Sequence, residues 1–537
     1  MKFIVTGMAG AVQALDSRDL DPSGAGANSV NQRPRAGELS PWRQPLAVAT
    51  IPAFRQTIYR MGRDVLSDAS YWLSWTTIVH AVRGFLASDT TERTYFTGSG
   101  TPKVTDNVMG LASAPYPTTA RELGVPAPEG TSLVSQSNPG TGDDRLVFYA
   151  DTFITDKGEE SKPRLIGSIT CKPGAVIAIA ELPAPPAGNY GIDTRRIYRG
   201  EATDSGSGEF FFLMDIDSDA VDATDDGLTV GAGVMATTGW EMPPADLKCL
   251  TGMWDGLMAG ISGRSVRYCE PYTPYAWPIE YETLPPDVTP VALAVWSKSL
   301  IVLTNGAPLL VSGSSPDQMG DERIELGKSC LSVLSVADVE HGAVWASGDG
   351  LAYFGANGPV LLTDGILTRE QWLAMAPETM VGVHYEGVYL GFYKIGSTWL
   401  GFSIATAAPS GIYFLDKGYA AAYLDKLRNA VYVLDGINIK KWDADAELMT
   451  AKFVSKTFRA PRPVNLCALE VAARTWPVTV KIYGDGVLRS TRTVYDSKPV
   501  TMKPGGNPAR EFYFEITTAG AAVGISVAPT LRELRDE

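Results

Sequence analysis

Apolar and polar positions along this chain change over in short runs, and few stretches hold the three-to-four spacing of an amphipathic helix. Five segments share one plan. They are DGLMAGISGRSVRYCE from Asp255, KSLIVLTNGAPLLVSG from Lys298, HGAVWASGDGLAYFGA from His341, EGVYLGFYKIGSTWLGFS from Glu386 and RNAVYVLDGINIKKWD from Arg428. Each has an apolar β-rich run, a turn marked by Gly or Asn-Gly, and a second run of the same kind, which predicts a hairpin. They recur about every 43 residues, the period of one four-stranded propeller blade. A blade cannot bury both faces alone, so blades must pack face to face. The expected fold is all-β: a multi-domain β-propeller of five to six blades.

The flanking sequence sets the expected domains. Residues 1–50, rich in Gly, Asn, Pro and Arg, predict an extended N-terminal arm in which Trp42, between Pro41 and Pro45, buries its ring. The arm either lies on other parts of an assembly or supplies an intramolecular strand that closes the propeller. Residues 51–115 read as a first blade, with Gly98 and Gly100 at a turn. Residues 116–240 read as an inserted fibronectin- or Ig-like β-domain that opens on a helical turn, TTARELG. Residues 241–450 hold the main blades. Within them LTREQWLAMAPE predicts a short helix, capped by Thr368 with Gln371 and ended by Pro377. Residues 451–537 predict a small C-terminal β-sandwich, with a hairpin turn at 484–486.

Charge changes the picture of possible partners. A net charge of −14 argues against a chain that holds phosphate backbones, which requires clustered Lys and Arg. It suits a surface past which nucleic acid slides without sticking. The cluster Arg195, Arg196 and Arg199 reads as strand residues with solvated ends. Five scattered cysteines (Cys171, Cys249, Cys269, Cys330, Cys467) form no CxxC pair, which fits assembly in a reducing cytoplasm. Residues 3–14 have the outline of a short leader, but Thr6, Gly7 and Gly10 interrupt the apolar run.

Candidate chemistry is sparse. His80, His341 and His384 sit in or beside strand-like runs with no second ligand at metal spacing, so structural roles are expected. DIDSDAVDATDD places Asp215, Asp217, Asp219 and Asp226 at cation-loop spacing. Ala220 stands where such a loop needs Gly, and an acidic loop held open by repulsion is the expectation. Asp349 in SGDGLAYF resembles the Asp-containing turn of sialidase blades, but the turn occurs once. The pairs Asp143–Asp144 and Glu159–Glu160 are sequence neighbours whose side chains point apart. No catalytic residue, cofactor or metal is expected.

Several phrases follow one another in order: SPWRQP, TERTYFTGSGTPKVTDN, TARELGVPAP, RRIYRG, LMAGISGRSVRYCEPYTPYAWP, LVSGSSPDQM, LLTDGILTREQW and APRPVN. Together, from about residue 14 to the C-terminus, the chain resembles the tail nozzle (tail tubular protein B-like) proteins of short-tailed bacteriophages. The resemblance implies a structural virion protein, not an enzyme, that is made and assembled in the host bacterial cytoplasm. It implies a homo-hexamer at the distal tail, docked to the adaptor ring and to tail fibres or tailspikes. Double-stranded DNA would be retained and later conducted through its channel. On that reading Trp42 and Arg43 of the arm are the expected contacts with a neighbouring protein. The alternative is a secreted or surface propeller that binds or cleaves glycans.

Overall fold

The computed structural model describes residues 1–20, 24–34, 37–62, 67–86, 89–202, 208–227, 229–325, 328–339, 342–356, 358–503 and 505–535. The chain is all-β: a multi-domain β-propeller with an inserted sandwich and a C-terminal sandwich. Among the described residues, six four-stranded blades follow in sequence. Blade 1 is His80–Arg83, Thr94–Thr97, Lys103–Thr105 and Arg121–Glu122, and blade 2 runs from Lys248–Gly252 to Glu282–Thr283. Blade 3 begins at Pro290–Trp296, blade 4 at Ala337–Val339 and blade 5 at Val381–Tyr385. Blade 6 is Ala422–Asp425, Ala430–Asp435 and Asn438–Lys441, completed by Leu46–Thr50. Each of the five repeat segments supplies the second and third strands of a blade. His341, which opens one of them, lies outside the described residues.

The chain divides into two compact units, residues 1–76, 291–310 and 322–537, and residues 77–290 and 311–321. In the first unit, central strands are apolar without a break because both of their faces are covered. Along Gly342–Ala346, Ala343 and Trp345 pack toward blade 3 with Ile301 and Leu303, whereas Val344 and Ala346 pack toward blade 5 with Tyr389 and Phe402. Along Ala430–Asp435, Val431 and Val433 join Leu390 and Phe392 of blade 5. On the opposite face, Tyr432 and Leu434 join Ile58 and Trp72. The two-residue period of a strand produces this sorting.

In the second unit, blades 1 and 2 share a core that includes Tyr95, Leu123, Met258 and Trp277. The insertion is a sandwich of three strands (Leu133–Asn138, Val176–Ala180, Asp222–Asp225) over four (Arg145–Thr155, Arg164–Cys171, Ile192–Glu201, Phe210–Asp217). Arg121 holds it to blade 1 through a two-pronged ion pair with Asp156, one arm of which is 2.9 Å.

Three expectations are corrected and one open alternative is decided. TTARELG is not helical: Arg121 and Glu122 pair with Val104 and Lys103 as the outer strand of blade 1. Lys103 Nζ donates to Glu122 Oε1 at 2.6 Å, and these tertiary contacts outweigh a local helical preference. The strands of the insertion therefore begin at Leu133 rather than near residue 116. Residues 51–115 are not one blade, because Thr57–Arg60 and Trp72–Trp75 form a separate two-stranded sheet. The arm of residues 1–50 does not extend away from its own chain. Phe3–Thr6 pairs with Ala522–Ala528, Asn28–Val30 pairs with Ala451–Val454, and Leu46–Thr50 pairs with Asn438–Lys441. The strand-closing alternative is the one observed.

The helix at Arg369–Leu373 carries the expected capping box: Thr368 Oγ1 accepts from the Gln371 N–H, and the Gln371 side chain accepts from the Thr368 N–H. The C-terminal sandwich turns at Asp485 and Gly486, both in the left-handed region (φ 49° and 77°), as a tight hairpin between twisted strands requires. Its core mixes Phe3, Val5 and Met8 with Val480, Phe514 and Val527, so the first residues of the chain are part of the last domain.

Candidate functional site

The arm meets blades 5 and 6 at a seam built around two indoles. Trp42 is fully buried, 5.6 Å from Trp442 with the rings tilted by 59°, and Arg33 lies over its face at 4.8 Å. Arg33 also bonds Asp443, with Nη1 at 2.9 Å, and pairs with Glu386 through Nη2. The Arg43 N–H donates to Asp443 Oδ1 at 2.9 Å, and Arg43 Nη1 donates to the Asp445 carbonyl at 3.1 Å. Burial raises the Asp443 pKa, and Arg33 and Arg43 oppose that shift.

The expected partner contact is thus corrected for Trp42. Its ring faces Trp442 inside its own chain because two flanking prolines hold the backbone extended while the Trp442 face needs a cover. Arg43 remains exposed, with its donors turned onto the loop at 443–445.

The seam borders a cavity of about 680 Å³ lined by Trp399, Tyr419 and Trp442 together with Asn31, Gln44 and Asp416. Sequence reasoning did not find it. Its aromatic residues come from three strand or turn positions that only the stacking of blades 5 and 6 brings together. The one local signal is Asn31, whose φ of 57° turns its side chain to accept from the Asp416 N–H at 3.2 Å and to donate to the Thr450 carbonyl at 3.2 Å.

The other candidates are scattered. Arg195 and Arg199 have no solvated ends; both are buried in the inserted sandwich. Arg195 donates to Asp151 at 2.7 Å, and Arg199 donates to Asp225 at 2.7 Å, which also accepts from the Tyr149 hydroxyl at 2.8 Å and from the Gly227 N–H at 3.0 Å. Buried arginines survive when a carboxylate and further acceptors share the site. Arg196 is the one that reaches the surface, where it pairs with Asp215 at 2.8 Å. The acidic stretch is therefore not a loop held open by repulsion. It ends one strand of the four-stranded sheet and starts one of the three-stranded sheet, with Asp215 and Asp225 engaged by arginines. Among the described residues no group of three or more His, Cys, Asp or Glu converges as a metal site would require.

Asp349 lies between Lys328 and Arg369, and the Lys328 bond foremost holds its carboxyl below the usual range. Glu159 and Glu160 part as expected. Burial raises the pKa of Glu159, 3.3 Å from Arg93, while Glu160 accepts from Thr152 and from the Tyr198 hydroxyl at 2.6 Å. Asp143 and Asp144 are exposed. His384 lies in Val381–Tyr385.

His80 is half-buried in blade 1, and removal of water from around its ring pulls its pKa down to about 4. An unfolded chain takes up that proton near pH 6.5, so folding loses stability as the pH falls from about 6.5 toward 4. The loss is up to about 2 kcal/mol once the partial exposure of the ring is discounted. In urea titrations at neutral pH and at about pH 4.5, His80→Gln should narrow the gap between the two stabilities by that amount. An unchanged gap would show that His80 does not contribute to the acid response.

No protein-family model and no curated protein matches the chain. Among solved structures, the exo-β-1,3-galactanase of Phanerochaete chrysosporium is 8% identical, with 72% of this chain and 100% of the other covered and a TM-score of 0.22. The WD40 domain of Neurospora crassa Pan2 is 9% identical over 60% of this chain and 91% of its own, at a TM-score of 0.26. The WD40 domain of Toxoplasma gondii coronin is 10% identical over 73% and 88%, at 0.25. Likenesses at these scores bear no functional conclusion.

Proposed function

We propose that this chain is a structural subunit of the tail of a short-tailed bacteriophage. Six copies would form the distal nozzle ring that retains the genome and conducts DNA during ejection. The observation that carries the reading is the ordered series of phrases from SPWRQP to APRPVN, which spans nearly the whole chain. The architecture agrees with what that resemblance implies: a sandwich interrupts the blades between the first and the second. An acidic chain suits a conduit, because a basic lumen would hold DNA through counterion release. The chemistry is that of fit: ring contacts between copies, an adaptor above, and fibres or tailspikes docked outside.

Negative-stain microscopy of the purified protein, alone and with its adaptor, should show a six-fold ring. An antibody against the chain should label the distal end of virion tails. A protein that stays monomeric with the adaptor and is missing from purified virions would end this reading. Binding to DNA should be weak and fall further with salt.

A further inference from the structure

The cavity between blades 5 and 6 has features of a ligand site that the tail role does not call on. Its volume of about 680 Å³ falls within the ~300–1,000 Å³ typical of small-molecule pockets. Two of its aromatic residues are fixed in place: Tyr419 and Trp442 are buried, with ring centroids 6.3 Å apart at 81°. Trp399, half-buried, adds a third ring. One group on the same lining is open to a guest: the Asp416 carboxylate is exposed and makes no hydrogen bond or ion pair among the described residues.

The charges narrow the ligand class. Lys417, the cation on the lining, is committed to Asp435 at 2.6 Å, and Lys440 reaches the same oxygen at 2.8 Å. Two lysines share the Asp435 carboxylate and Asp416 adds a second negative charge, so these four groups carry no net charge that would draw an anion. A purely apolar guest would leave the Asp416 carboxylate without a partner. A pyranose suits both the aromatic lining and the carboxylate. Its C–H faces meet the electron-rich faces of indole and phenol, and its hydroxyls donate to a carboxylate. We propose that this cavity binds a neutral hexose unit of a glycan, with Trp399 as stacking platform and Asp416 as hydroxyl acceptor. The site lies within one copy of the chain and does not depend on the tail reading, so either proposal can fail without the other.

The test uses the full-length protein and a panel of methyl hexopyranosides (gluco, galacto, manno and their 2-acetamido forms) at millimolar concentration. Saturation-transfer NMR should detect at least one, with the strongest transfer at ring C–H protons, and tryptophan fluorescence should titrate with it. Asp416→Asn, at an exposed position that carries no core packing, should weaken that glycoside about tenfold, the worth of one charge-assisted hydrogen bond. Trp399→Ala should abolish the transfer. Tyr495→Ala, at a position 73% exposed in the C-terminal sandwich, should leave binding unchanged. The proposal is overturned if no glycoside in the panel gives transfer with the wild type. It is equally overturned if Asp416→Asn and Trp399→Ala, both folded by thermal melt, bind as the wild type does.

Discussion

Trp42→Ala lowers the unfolding free energy by about 3–5 kcal/mol in urea titration, the range for deleting a fully buried aromatic ring. The ring is the keystone of the seam. Its removal leaves Trp442 facing a void and strips Arg33 of the aromatic face that now lies 4.8 Å from its guanidinium. The backbone bonds through which the arm is tied, Met449 N–H to the Trp42 carbonyl and Trp42 N–H to the Asn31 carbonyl, would then rest on a loosened base. Arg43→Ala serves as the contrast. Arg43 is exposed, and only its 3.1 Å bond to the Asp445 carbonyl is lost, so a change of about 1 kcal/mol or less is expected. A Trp42→Ala protein with wild-type stability that failed to join purified tails would restore the role in partner contact that burial removes.

Asp151→Ala destabilises the inserted sandwich by about 3–5 kcal/mol, because it strands two cations rather than one. Asp151 is wholly buried and binds Arg164 through both oxygens at 2.9 Å and Arg195 at 2.7 Å. Arg195 is itself fully buried beneath Phe153, so no water replaces the lost carboxylate. Hydrogen exchange should report faster opening of Arg145–Thr155 and Ile192–Glu201, with blade 4 unaffected. The triple change Asp151→Leu, Arg164→Met and Arg195→Met should recover most of the loss, since apolar groups of similar volume need no partner. If Asp151→Ala leaves exchange in those strands unchanged, the ion trio is not what holds the sandwich.

These cases also show where the sequence is legible. The five repeat hairpins could be read directly, because a strand covered on both faces must be apolar throughout and its turn must admit unusual backbone angles. AVWA before SGDG and AVYVLD before GIN carry both marks. The capping box at Thr368 was equally plain, since its two bonds are local. Pairing across hundreds of residues leaves no such trace. Leu46–Thr50 reads as a strand, yet nothing in LAVAT names Asn438–Lys441 as its neighbour. Arg121–Glu122 failed although its partners Lys103 and Val104 are close in sequence, because TTARELG carries a local helical preference and no mark of the strand it pairs with. At the site, the sequence showed that Trp42 would bury its ring but not against what. Arg195 and Arg199 looked like surface charge because their carboxylate partners lie 44 and 26 positions away. The cavity had no linear signature, because Trp399 and Trp442 come from different blades.

The way the first fifty residues are woven in has a consequence for synthesis. They are synthesised before their strand partners at 438–441, 451–454 and 522–528. Until those partners emerge, the nascent chain carries unpaired strands and bare apolar side chains such as Phe3 and Trp42. Such stretches invite aggregation or capture by chaperones. A polypeptide that stops before residue 438 can complete neither blade 6 nor the C-terminal sandwich, so truncation there strands residues 1–50 as well.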